Sequence, residues 1–395
     1  MKKTLFSILL TSLLFLNLSN AQTTPKPAEA PKSKLTFSGY LDTYYFANLN
    51  NPASSSNLGI SGLDGGGRGV PGNARAFEQR SGQFSLGLIQ TKIVHTTETT
   101  EAVADLAFGP NADLGNYGNL FGPLGITTSL AIKQLYIAYK PSSKFTLTMG
   151  QFGTHIGYEV IDAPLNYHYS LSNLFNNGPF YHIGIKGTYA FSDKASLMVG
   201  VVNNIDNLND NNKAKGIISQ LFVSPTAGFN VYLNWIGSNE STAIGKPVAG
   251  NYYSLLDLTT TYQITSTFMI GVNAGSGSQK SKIGTFSSSG TWGGVAVYTN
   301  YALSDGFSLG ARYENFSNKD GYRGLLGADG NGTSVNSLTI TGNITLGDGH
   351  LLLKPEFRLD SYPKVAGSVQ KFEDADGKFT KNSQATIGMA AIYKF

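Results

Sequence analysis

From Lys34 to the C-terminus the chain repeats one pattern: stretches of about ten residues in which apolar and polar side chains alternate with a period of two. Successive side chains of a strand point to opposite faces, so each stretch has one oily side and one wet side. Phe145, Leu147 and Met149 oppose Thr146, Thr148 and Gly150. Phe307, Leu309, Ala311 and Tyr313 oppose Ser308, Gly310, Arg312 and Glu314. Leu351, Leu353, Pro355, Phe357 and Leu359 oppose Leu352, Lys354, Glu356, Arg358 and Asp360.

The connectors supply the second constraint. Short ones lie at 141–144, 192–194, 224–228, 264–267, 303–306 and 347–349, all carrying Gly, Pro, Asp or Ser, with a less regular one near 96–101. Long ones rich in Gly, Asn and Ser cover 48–81, 110–128, 153–179, 203–214, 238–250, 276–290, 317–334 and 361–382. Seven turns and eight loops make fifteen connections, hence sixteen strands. The predicted class is all-β: a transmembrane up-and-down antiparallel β-barrel with short periplasmic turns and long extracellular loops.

A soluble sandwich also alternates, but three features select the barrel. Aromatics flank the short turns (Tyr139, Phe145, Phe191, Phe222, Phe229, Tyr262, Phe268, Tyr301, Phe307), as an interfacial girdle requires. A second set (Tyr45, Tyr181, Trp235, Trp292, Tyr313) sits near the long connectors. The chain stops at Phe395, on the same face of the last strand as Ile387, Met389 and Tyr393. In hydrocarbon every backbone N–H and C=O needs a partner, so such a sheet has to close on itself. A sixteen-stranded cylinder is too wide for its wall side chains to fill, and a polar inner face then implies water inside.

Bulk properties agree. Met1-Lys2-Lys3, the apolar run Leu5–Leu16 and Ser19-Asn20-Ala21 form an export leader (1–21) cut after Ala21. Residues 22–33, rich in Pro, Ala and Thr, are expected as a flexible periplasmic segment, with the barrel spanning 34–395. Charged residues are only 14%, low for a soluble protein. The formal net charge of +4, half of it from Lys2 and Lys3, lacks the clustered basic face of a nucleic-acid binder. No cysteine is present, so there is no disulfide scaffold.

Four stretches resemble the OmpL-like family of β-barrel porins. The first strand reads Ser38-Gly39-Tyr40-Leu41-Asp42-Thr43-Tyr44-Tyr45. The most specific stretch runs from Gly150-Gln151-Phe152-Gly153-Thr154-His155 to Ile156-Gly157-Tyr158-Glu159. Asn166-Tyr167-His168-Tyr169-Ser170 and Gly178-Pro179-Phe180-Tyr181-His182-Ile183-Gly184 follow it. The family often has Asn-Gly-Trp where this chain has Asn203-Asn204-Ile205. The resemblance covers nearly the whole mature chain and implies a bacterial outer-membrane porin, in a Gram-negative envelope.

In sixteen-stranded porins the third long loop folds inward, so the resemblance directs attention to 152–179. That loop carries His155, Glu159, Asp162 and His168. One reading sets Glu159 and Asp162 across a constriction from inward cations Lys186, Arg312, Lys354 and Arg358, giving a transverse field that filters solutes. The other has Glu159 pin the loop by accepting backbone N–H bonds. The inward run Arg312, Glu314, Lys354, Glu356 and Arg358 is likewise either a selectivity ladder or a self-neutralising wall network. The expected function is passive diffusion of small hydrophilic solutes and ions. The rival is a structural or adhesive barrel whose extracellular loops bind a partner. No enzyme activity, cofactor or metal site is expected: the five histidines lack ligand spacing, and Gly306-Phe307-Ser308-Leu309-Gly310 runs along a strand, not into a nucleophile elbow. Expected partners are outer-membrane lipid, lipopolysaccharide and small polar solutes, with a homotrimer by analogy with porins of this size.

Overall fold

The computed structural model describes residues 33–115, 120–121, 126–127, 132–203, 205–206, 208, 210, 212–239, 252–283, 286–367 and 369–395. The leader and the segment up to residue 32 lie outside the described residues, as do the centres of two long connectors, 116–119 and 240–251.

Sixteen antiparallel strands form one closed sheet. They are β1 (Lys34–Asn48), β2 (Gln83–Thr96), β3 (Thr100–Phe108), β4 (Ile132–Ser142), β5 (Phe145–Gly153), β6 (Tyr181–Ser192), β7 (Ala195–Val202) and β8 (Gly216–Thr226), then β9 (Phe229–Asn239), β10 (Tyr252–Gln263), β11 (Phe268–Ile283), β12 (Phe286–Ser304), β13 (Phe307–Asn318), β14 (Thr333–Leu346), β15 (Leu351–Ser361) and β16 (Ser383–Lys394). Each pairs with its neighbours in sequence, and β1 closes on β16 with Tyr40 opposite Lys394 and Asn48 opposite Thr386. Gly39 and Phe395 exchange both backbone hydrogen bonds at 3.0 Å, which carries the seam to the last residue.

The seven short turns fall where the turn formers predict: Ser142 pairs with Phe145, Thr226 with Phe229, and Ser304 with Phe307. The irregular one also holds, with Thr96 opposite Glu101. One long connector is corrected. Instead of a loop over 276–290, β11 and β12 stay paired to Ile283 opposite Phe286. Gly and Ser predominate there, and backbone pairing above the oily belt needs no apolar face to announce it.

Burial is inverted relative to a soluble protein. Leu135, Ile137, Met149, Val199, Leu233, Val295, Leu309, Ile387 and Met389 are exposed on the outer face, while Asp105, Asn234, Asp257, Arg312, Glu314, Arg358 and Asp360 are buried inside. Rings at the turn ends pack across neighbouring strands: Phe222 on Tyr232 (4.8 Å), Phe229 on Tyr262 (5.4 Å), Phe268 on Tyr301 (6.3 Å) and Phe37 on Phe395 (5.9 Å). The second aromatic set is corrected in part. Tyr181 and Trp292 are buried, and Trp292 packs on Tyr253 at 5.3 Å. Alternation counted back from exposed Val297 and Val295 turns Trp292 inward.

Because the outer face meets lipid, a charge there is costly. Leu233→Arg in the middle of β9 should destabilise the barrel by about 2–4 kcal/mol, read as a lowered denaturant midpoint in lipid vesicles; an unchanged midpoint would place Leu233 off the lipid.

Candidate functional site

The interior is not left to water alone. Two connectors fold into it: the end of the first, around 72–80, and the third, 154–180. Ala74, Arg75, Phe77 and Glu78 of the first are almost fully buried, as are Glu159, Asp162, His168, Tyr169 and Ser170 of the third. Wall residues that alternation marks as inward thus meet inserted backbone.

The docking surface is a patch on β13, β14 and β15. Register sets Arg312 beside Thr339 and Thr339 beside Arg358; one step along, Glu314 lies beside Ser337 and Ser337 beside Asp360. Glu356 lies beside Thr341. The wall therefore presents alternating rows of guanidinium and carboxylate, and the third loop lays its backbone on them. Tyr169 and Ser170 donate their N–H groups to Glu356 at 2.8 and 3.1 Å. The carbonyls of Ser170 and Leu171 accept from Arg312 and Arg358, both at 2.8 Å. Asn173 and Leu174 donate N–H to Glu314 at 2.8 Å. A short helix, Asn173–Asn177, starts here, and Ser172 Oγ caps it by accepting from Phe175 N–H. Backbone groups buried without partners would each be costly, and the charged wall supplies partners of both signs.

Glu159 belongs to this fastening. It accepts the Ser172 N–H at 2.7 Å and pairs with Arg312. Asp162 lies on another part of the wall, 2.5 Å from Lys133 of β4, which also reaches Asp105 at 3.4 Å. Lys354 donates to the carbonyls of Ala163 (2.9 Å) and Asn166. His155 is farther along the loop, with Nε2 3.0 Å from the Trp235 carbonyl. Lys186 stays out of this network and sits over the Phe152 ring at 4.2 Å. Arg312, Glu314, Glu356, Arg358 and Glu159 are thus brought together; Asp162, Lys354 and His155 hold other points of the loop, and Lys186 contacts only the wall residue Phe152.

The loop also reaches β10, where Gly157 N–H donates to Asp257 at 3.0 Å, and β12, where Tyr158 stacks on Tyr298 at 4.1 Å. Tyr169 Oη donates to Asp42 of β1 at 2.5 Å. Below it, toward the short turns, lies a cavity of about 920 Å³ lined by the loop and by polar residues of β8–β10 and β13–β15. Lys133, Asp257 and Arg75 are participants that the sequence reading did not single out. Asp257 could have been found, since alternation with exposed Leu256 turns it inward. Arg75 lies in a connector, where no period exists to orient it.

Arg75 fastens the first connector, donating to Asp360 at 2.7 Å and Thr386 at 3.1 Å. Its neighbour Glu78 is raised to about 7, chiefly by burial, against the pull of Arg75 and Arg358. A carboxyl raised in the docked state docks best while protonated. Docking of this segment should be strongest below the ordinary carboxylate range near 4.5 and weaken as pH rises through about 7. Proteolytic nicking of 72–80 should rise between pH 5 and 8, and Glu78→Gln should flatten that rise; an equal rise in both would absolve Glu78.

A family model described as "Putative beta-barrel porin-2, OmpL-like" matches residues 34–395. Among solved structures, an anion-selective porin from Comamonas acidovorans is similar at TM-score 0.57 and 12% identity, over 92% of this chain and 100% of that one. In-vitro folded OmpT of Vibrio cholerae in trimer form gives 0.56 and 13%, over 92% and 99%. The outer membrane channel DcaP of Acinetobacter baumannii gives 0.55 and 11%, over 92% and 97%. At these identities the likeness is one of fold. No curated protein matches the chain.

Proposed function

Since the chain belongs to the OmpL-like β-barrel porin family across residues 34–395, an outer-membrane barrel, we propose that it is a passive channel for small hydrophilic solutes and ions, without catalysis or cofactor. The observation that carries this reading is the inverted wall, apolar outside and polar inside, around a lumen with a cavity of about 920 Å³ lined by the third connector and polar wall residues. Solute would pass that loop, so its charged fastenings are also the charges nearest the path. The short turns face the periplasm, and the leader is removed after Ala21. The envelope is Gram-negative, and a homotrimer fits the trimer form described for OmpT of Vibrio cholerae.

Planar-bilayer recording tests this directly: refolded protein should give discrete conductance steps, and a chain that never conducts at any voltage would reject the reading. Ion preference follows from the same recording. Glu159→Gln leaves Arg312 without its carboxylate, so the reversal potential in asymmetric salt should move toward anion preference. A potential identical to the parent's would remove Glu159 from the selectivity region.

A further inference from the structure

The lumenal face changes character along the strands. Toward the short turns its inward side chains are polar and at least partly exposed, as with Ser196, Asn230, Ser308 and Thr345. Toward the long connectors the same parity turns Val202 of β7, Ile218 of β8, Ile236 of β9, Phe316 of β13 and Val335 of β14 inward, and each is 0% exposed. Side chains facing an aqueous lumen would be wetted. These share one apolar cluster with Ala74 of the first connector, Ile156 of the third, Leu325 of the seventh and Phe372 of the eighth. Phe77 of the first connector also meets the Phe175 and Phe180 rings of the third, at 6.3 and 6.5 Å.

The two inserted connectors are held differently. The third lays its main chain on wall charges, and such bonds are strong. The first is bonded largely to itself: Gly72 N–H to the Gly59 carbonyl (2.8 Å), Ala74 N–H to that of Leu58 (3.0 Å), and the Asn57 amide to that of Glu78 (2.8 Å). Its inserted part, 72–80, reaches the wall through Arg75. Its outer part is clasped by Lys371, a buried cation of the eighth connector. The Lys371 Nζ donates to the carbonyls of Ile60 and Leu326, both at 2.7 Å, and its own carbonyl accepts the Ile60 N–H at 2.9 Å. One side chain thereby ties the first, seventh and eighth connectors together.

We propose that the first connector is a gate, with Lys371 as its latch. It closes the lumen at the strand ends nearest the long connectors, and conduction requires 72–80 to leave this apolar socket while the third connector stays on the wall. Apolar burial is non-directional, so a segment that carries its own hydrogen bonds can come away whole and settle back. The inference rests on the channel reading, since a gate needs a pore to close.

The chain has no cysteine, so an engineered pair reports without background. A Cβ added at Gly324 of the seventh connector would stand 3.6 Å from Asn73 Cγ of the first, near enough for Asn73→Cys with Gly324→Cys to close a disulfide. The full mature chain is recorded in planar bilayers. Oxidation of the pair should cut the open probability by about tenfold or more, and a reductant should restore it. Lys371→Met, without the pair, should open several-fold more often than the parent. A cross-linked protein that conducts as freely as its reduced form, a pair that fails to close in the folded barrel, or Lys371→Met with the parent's open probability would each overturn the proposal. Conduction indifferent to the cross-link rejects the gate and keeps the channel. Silence from the parent, the reduced pair and Lys371→Met alike rejects the channel reading, and the gate with it.

Discussion

An Arg312→Ala variant should conduct several-fold more than the parent, with noisier open levels, while its barrel still folds. Arg312 is fully buried and holds three things at once: Glu159, the Ser170 carbonyl and Thr339. Its loss leaves the Glu159 carboxylate buried without its countercharge, held only by the Ser172 N–H, and the Ser170 carbonyl without its donor, a cost of about 3–5 kcal/mol for breaking such a pair from one side. The strands do not bear this cost, because their ladders are unaffected. The loop can escape it by leaving the wall and letting water reach Glu159. At about 1.4 kcal/mol per tenfold change, that is enough to turn a docked segment into one that is mostly free. Single-channel recording reads the current, and protease cutting within 154–180 reads the release. Normal conductance together with normal protection would mean that Glu314, Glu356 and Arg358 hold the loop without Arg312.

Deleting 383–395 should have a still larger effect: no folded barrel at all. These residues are the whole of β16, which pairs with β15 from Leu351 opposite Tyr393 to Ser361 opposite Ser383, and with β1 along the seam. Without them two strands would carry rows of unpaired N–H and C=O groups through hydrocarbon, at several kcal/mol each. The remaining fifteen strands cannot re-close in register, since β1 and β15 are both upward strands of an alternating set. The deleted chain should aggregate and lose the heat-dependent gel mobility of a folded barrel. A chain trimmed before Lys34 keeps every strand and serves as the control. Survival of the truncated chain in folded form would show that the seam is dispensable.

The wall was legible because its physics is local. Each side chain faces lipid or lumen by parity, so Met149, Leu309 and Ile387 could be assigned outward and Arg312, Glu314 and Lys354 inward from composition and period alone. Turns were legible for the same reason: Ala227-Gly228 and Asp305-Gly306 close hairpins by their own backbone preferences. Parity failed where it had nothing to act on. The Gly- and Ser-rich extension of β11 and β12 pairs by backbone without any oily face.

The candidate site was legible only by half. Its wall charges stood out as inward, yet what they hold is mostly main chain: the N–H groups of Tyr169, Ser170, Asn173 and Leu174 and the carbonyls of Ser170 and Leu171. Peptide groups are the same at every position, so such a pairing leaves no trace in residue identity. Lys133 was missed because the register shifts beside it, between Gln134 and Ile132, so that alternation with exposed Leu135 and Ile137 turns it the wrong way; Arg75 lies in a connector, outside any period.

The separation in sequence between the third connector and its wall anchors has a consequence for biogenesis. The third connector leaves β5, but its anchors lie 141 residues on at Glu314 for Asn173 and 186 on at Glu356 for Ser170. During synthesis and insertion the segment therefore exists for some time with its peptide groups unanchored, awaiting the last quarter of the chain. A partner that shields it during that interval, or a membrane machine that admits strands in order, would be guarding the inserted loop before there is a tube to hold it.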